Sequence, residues 1–123
     1  MRIKSSAEIL FYAKKVSIEK NVHLSPKMCA FFVALIRLFV DKAKYDDEKK
    51  MYYVQYSCHD FCQILTQYSH NLISTSLQKF HDCGLVERVP VKREFRKLKA
   101  EDGAFLVNMP YLTYLDLSLY IEE

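Results

Sequence analysis

The amino-acid sequence predicts an α+β fold that is mainly helical. Three observations carry this. Two long apolar-periodic segments fill the first third of the chain; a polar-capped helical segment at 69–83 follows a shorter one across a tight turn; and runs of β-branched and aromatic residues stand before and after that pair. The chain has 123 residues, half of them apolar or aromatic and 27% charged, which is enough for one core and too apolar for disorder. Residues 1–123 are therefore expected to form a single domain, with 1–22 as an N-terminal helical extension and 110–123 as a C-terminal tail.

The elements follow in order. SSAEILFYAKKVSIEKN reads as a helix because Ile9, Leu10, Ala13 and Val16 share a face and the lysines lie elsewhere. In LSPKMCAFFVALIRLFVDK, Ser25 is the expected N-cap and Pro26 the first helical residue, where a missing N–H costs nothing. Phe31, Phe32, Leu35, Ile36 and Phe39 give this second helix a broad apolar face, so it is expected to be the central scaffold. AKYDDEKK has no apolar anchor and reads as a charged turn, and MYYVQY after it reads as a strand. Ser57 with Asp60 three residues on is a relative of the capping box and opens a short helix over 58–66.

Ser69 caps the next helix, whose Leu72, Ile73, Leu77 and Phe80 form one stripe, and Gly84 supplies the left-handed residue that ends it. A helix a three-residue turn after another is a helix-turn-helix arrangement. LVERVPV and AFLVNMP then read as two strands joined by KREFRKLKAEDG, with a turn signal at Asp102-Gly103. Pro90 suits an edge strand. The tail PYLTYLDLSLYIEE fits a helix opened by Pro110 slightly better than it fits a strand, although Leu115, Leu117, Leu119 and Ile121 alternate as a strand would. The complete order is that of a winged helix-turn-helix with a C-terminal β-ribbon wing.

Composition excludes more than it assigns. A formal charge of +3 is too small to name a partner, so any nucleic-acid footprint must be local. There are only two glycines, no phosphate loop, no nucleophile elbow and no paired-carboxylate motif, so neither catalysis nor a cofactor is expected. MRIKSSAEIL lacks the apolar core of a signal peptide, and CAFFVALIRLFV is broken by Arg37 and too short to span a bilayer. A cytoplasmic protein with reduced cysteines is the expectation. Cys58 and Cys62 share a helical face, and His81 and Cys83 could complete a tetrahedral metal site. Zinc sites prefer tighter spacing, so buried thiols are expected instead and no metal is assigned.

Local charge is more informative. The apolar stripe of the 69–83 helix leaves His70, Asn71, Ser74, Thr75, Gln78 and Lys79 outward, as short polar groups able to reach base edges. The bland alternative is a solvated face. From Arg88 to Lys99 the chain carries Arg88, Lys92, Arg93, Arg96, Lys97 and Lys99 against Glu94 alone, a local excess of five that exceeds the net charge of the whole chain. A basic ribbon beside a polar helix is what phosphate neutralisation requires, the alternative being a run that serves solubility. The expected partner is double-stranded DNA. The amphipathic N-terminal helix and the apolar tail are surfaces suited to a homodimer.

Residues 24–90, through LSPKMCAFFVALIRLF, YDDEKKMYYVQYSCHDFCQIL and the polar helix that ends in GLVERV, resemble the N-terminal winged-helix domain of the RepA_N family of replication initiators of plasmids and similar mobile elements. The resemblance implies sequence-specific binding to repeated sites in a replication origin, without catalysis in this domain. By position it makes Ser69 to Lys79 the major-groove helix, Ser25 to Lys27 a phosphate-contacting helix start, and Arg88 to Lys99 the wing. Two rival expectations share the fold: a transcriptional repressor, and a winged helix used only as a protein-interaction module.

Overall fold

In the computed structural model, which describes residues 2–91 and 109–122, a two-residue strand β1 (Arg2–Ile3) leads into helix α1 (Ser6–Glu19) and then α2 (Pro26–Lys42). A hairpin follows, β2 (Lys44–Asp46) and β3 (Met51–Tyr56), and then α3 (Cys58–Ile64), α4 (His70–Asp82) and β4 (Glu87–Pro90). Beyond residue 108 come β5 (Tyr111–Leu115), a 3-10 turn (Leu117–Tyr120) and β6 (Ile121–Glu122). The fold is α+β with a small antiparallel sheet. The predicted wing residues Lys92, Arg93, Arg96, Lys97 and Lys99, the Asp102-Gly103 turn and residues 104–108 of the predicted second ribbon strand lie outside the described residues.

Each helix begins on a serine. Ser5, Ser25, Ser57 and Ser69 hold extended backbone, and their side chains accept from the N–H of Glu8, Met28, Asp60 and Leu72. At α3 the box is reciprocal, because the Asp60 carboxylate also accepts from the Ser57 N–H at 2.9 Å. Caps of this kind satisfy donors that the first helical turn leaves unpaired. They are the reason a helix as short as α3 persists.

The core is built around α2. Phe31, Phe32, Leu35, Ile36 and Phe39 are all buried, as their spacing requires, and α1 adds Ile9 and Ala13 to the same core. From α4 come Ile73, Leu77 and Phe80. The Phe80 ring lies edge-on to Phe32 at 5.0 Å and stacked near Phe31 at 6.0 Å, so aromatic contacts join α4 to α2.

The sheet order is β2-β3-β5-β4, with every neighbouring pair antiparallel. Pro90 stands on the edge strand β4, as its missing donor demands. A separate two-residue pairing of β1 with β6 brings Arg2 opposite Glu122 at 3.6 Å.

Four expectations are corrected. Residues 44–46 of the predicted charged turn form β2. Tyr45 packs edge-on against Tyr52 at 5.1 Å, and Asp46 closes the turn by accepting from the N–H groups of Glu48 and Lys49. The tail is not a helix. Tyr111–Leu115 occupies the gap between β3 and β4, where its backbone finds partners on both edges, and Thr113, Tyr114 and Leu115 are buried there. The strand that pairs with β4 accordingly starts at Tyr111, after Met109 and Pro110 of the predicted AFLVNMP strand. The link between α3 and α4 also runs over residues 65–69, longer than the three-residue turn expected.

The end of α4 positions what comes after it. Gly84 has φ +83°, its N–H donates to His81 O, and the N–H of Leu85 donates to Phe80 O at 2.9 Å. This is the paired bonding of a Schellman cap, with buried Leu85 and Phe80 as its apolar contact.

Two predictions follow from these local geometries. A Cβ on Gly84 would meet nothing within 4 Å, so Gly84→Ala should cost about 1–2 kcal/mol in urea unfolding through backbone strain alone, and Gly84→Asn less. The Asp46 carboxyl is held below its usual range, first by the Lys49 N–H and further by the Glu48 N–H and the Tyr114 hydroxyl, against partial desolvation. A lowered folded-state pKa contributes stability above the unfolded value of about 3.9, and that stability is lost as pH falls through the folded value. The stability difference between wild type and Asp46→Asn should therefore shrink on acidification below about pH 4, measured by urea unfolding across pH.

Candidate nucleic-acid interface

With one face of α4 committed to the core, the helix period assigns the other to solvent. Asn71, Thr75 and Gln78 are exposed, and His70, Ser74 and Lys79 are half-buried. Ser69 is exposed and serves as the cap. Of the six residues expected to face outward, three are exposed and three lie half-buried at the edges of the face, and those within it are not equivalent. Gln78 Nε2 donates to Asp82 Oδ1 at 2.9 Å, one turn along the helix, and Lys79 Nζ donates to the carbonyl of His23 at 3.0 Å. Among the described residues, the Asn71 and Thr75 side chains have no such ties.

Two open grooves flank this face. The first, of about 620 Å³, lies between the start of α2 and the first half of α4 and is lined by Lys27, Gln67, Tyr68, Asn71 and Thr75. The second, of about 610 Å³, lies between α4 and the β4–β5 edge and is lined by Cys58, His70, Ser74, Thr75, Arg88 and Tyr111. Thr75 borders both. Lys27, taken from the far side of the sequence, thus joins Asn71 and Thr75 on one groove. Ser25 does not line that groove; its oxygen accepts from the Met28 N–H at 3.2 Å to cap α2.

Arg88 is the wing-side cation within the described residues. Its guanidinium lies over the Tyr111 ring at 3.9 Å from the centroid, and its backbone N–H donates to His81 Nδ1 at 3.3 Å. Arg88 Nε and His70 Nε2, both on the second groove, are buried and have no hydrogen-bond partner among the described residues. Tyr111 and Asp82 were missed from sequence. The Gln78–Asp82 tie was legible as an i, i+4 pair, whereas nothing local to Tyr111 announces that β5 will carry it beneath Arg88.

The four residues weighed for a metal are not brought together, and among the described residues no three His, Cys, Asp or Glu side chains are placed to hold one. Cys83 is buried with its thiol directed at Phe80 O, and His81 is engaged by Arg88. Cys58 and Cys62 remain half-buried on α3. Burial pushes the Cys29, Cys62 and Cys83 thiols up, with the Cys58 charge adding to the effect at Cys62. A helix long and apolar enough to cross a membrane does not occur among the described residues.

Thiol accessibility gives a check on this placement. An aromatic disulfide reagent at about pH 8 should modify Cys58 and Cys62 in the native protein, while Cys29 and Cys83 react only after denaturant is added. Rapid native labelling of Cys83 would contradict the packing of the α4 C-terminus.

No family model, no curated protein and no solved structure matches this chain.

Proposed function

We propose that the chain is a winged helix-turn-helix that binds double-stranded DNA sequence-specifically, with α4 in the major groove, and that it recognises repeated origin sites for a replication initiator of a plasmid or mobile element. The observation that carries the reading is the polar face of α4, open at Asn71 and Thr75 and flanked by Lys27 on one groove and Arg88 on the other. Element order supports it: helix α2, strand β3, helices α3 and α4, then β4 and β5 with β5 between β3 and β4. The basic residues 92–99 follow directly on β4.

The division of labour follows from chemistry. A major groove about 12 Å wide admits a helix, and an asparagine amide there can pair with adenine N6 and N7 while a threonine methyl meets the methyl of thymine. Asn71 and Thr75 take these roles. Gln78, held by Asp82, reads only if that bond is exchanged for one to a base. Lys27 and Arg88, with Arg93 and Arg96 from the basic segment, neutralise phosphates and set the register without reading sequence. Arg88 suits this because the Tyr111 ring limits its rotamers before DNA arrives.

Selection from a random duplex library, followed by binding titrations over salt, tests the proposal. Asn71→Ala with Thr75→Ala should cost about 1–3 kcal/mol of discrimination at one or two base positions and leave binding to random duplex nearly intact. Arg93→Ala with Arg96→Ala should weaken all duplexes alike and flatten the salt slope by about two. Absence of duplex affinity above the non-specific level at about 50 mM salt would sink the reading. Footprints on repeats within an origin support the initiator role, and footprints overlapping a promoter would replace it with repression.

A further inference from the structure

Buried nitrogens without partners lie on one side of α4. Among the described residues four buried side-chain N or O atoms lack a hydrogen-bond partner, and both of the nitrogens, His70 Nε2 and Arg88 Nε, line the groove of about 610 Å³ between α4 and the β4–β5 edge. The other two are the hydroxyls of Ser76 and Thr113. A buried donor left unpaired costs about 1–3 kcal/mol, so two of them on one groove call for an acceptor there.

The local geometry explains how they arrive. His70, Ser74 and Gln78 recur every fourth residue, which sets them along one flank of α4, and all three line the groove. On β4, Arg88 stands opposite buried Thr113 in the register and so projects from the helix-covered face of the sheet. The same parity brings Tyr111, two residues before Thr113, beneath the guanidinium at 3.9 Å.

The chemistry of these groups names the ligand. A guanidinium fork and an imidazole N–H are both donors, and an anion with several oxygens can accept from them together. The charged side chains on the lining are Lys79, Asp82 and Arg88, two cations against one acid, and Asp82 already accepts from Gln78. A base edge fits less well, because bases lie recessed in the grooves of a duplex while phosphates project from its surface.

We propose that Arg88 and His70 form an oxyanion site that holds one phosphate group in this groove, with His70 holding phosphate and not reading a base. The inference deepens the DNA reading, and only the source of the phosphate rests on it: a duplex phosphodiester, or a free phosphate-bearing ligand.

Nitrogen-15 NMR of the imidazoles in the full chain, without DNA, tests the site with inorganic phosphate titrated at constant ionic strength against chloride. His70 should shift saturably with a dissociation constant in the millimolar range, and His23 and His59 should not. Arg88→Lys, which keeps the charge and loses the fork, should weaken phosphate at least about fivefold. The His70 shift is read on the wild type, so a folding defect in a variant cannot mimic it. A His70 resonance no more responsive to phosphate than to chloride, or phosphate binding indifferent to Arg88→Lys, would overturn the proposal. A second arm replaces duplex phosphates one at a time by neutral methylphosphonate. One position that costs the wild type about tenfold and the double variant R88A/H70A little identifies a phosphodiester as the ligand. Phosphate binding by the free protein with no such position assigns a free phosphate-bearing ligand instead. Loss of all duplex affinity would end the DNA reading and leave the first arm standing.

Discussion

The structure depends on how one residue, Phe80, is satisfied at both its ends. Its ring sits among the aromatic side chains of α2 and holds α4 at a set height and rotation on the scaffold. Its carbonyl accepts from the N–H groups of Leu85 and Val86 and faces the Cys83 thiol, so the chain cannot continue as helix and turns into β4. The rotation of α4 decides which polar residues face outward, and the direction of β4 decides where Arg88 and the basic residues after it begin. Gly84 makes the second possible, since its φ of +83° is one that few side chains tolerate. Both grooves of the candidate interface inherit their geometry from this junction.

Much of the helical part was legible because helices are written locally. A serine before an apolar-periodic run, a proline at the first position and a glycine after the last are short-range signals, and Ser25, Pro26, Ser57, Ser69 and Gly84 all occupy the positions they announce. The sheet was less legible, because a strand is defined by partners distant in sequence. Nothing in KYD says strand until Tyr45 meets Tyr52, and the alternation around Tyr111–Leu115 competes with a helical pattern that is locally as good. What settles the second case is the unpaired edge of β3, 55 or more residues earlier in the chain.

The candidate site shows the same division. Which residues of α4 point outward follows from period, but which are unencumbered does not. Lys79 is drawn away by a carbonyl 56 residues distant, and Lys27 arrives from another helix altogether. Sequence alone does not say which polar residues of the face are already tied to a neighbour. Geometry separates Asn71 and Thr75, which have no ties among the described residues, from Gln78 and Lys79, which already have partners. The affinity such a face can develop depends on this distinction, since a side chain that must first break a hydrogen bond returns less to its ligand.

The central place of β5 has a consequence for how the protein is made. Synthesis proceeds from the N-terminus, so β5 is made after both strands it lies between. Until β5 is in place β3 and β4 have their facing edges unfilled, and β1 lacks a partner until β6 follows. Unpaired strand edges on a nascent chain are templates for pairing with other chains. The proline and charged side chains of β4 and the three-residue length of β2 are features that make such edges poor templates. The hazard of mispairing in this fold thus lasts until its inner strand β5, made after both its neighbours, docks between them.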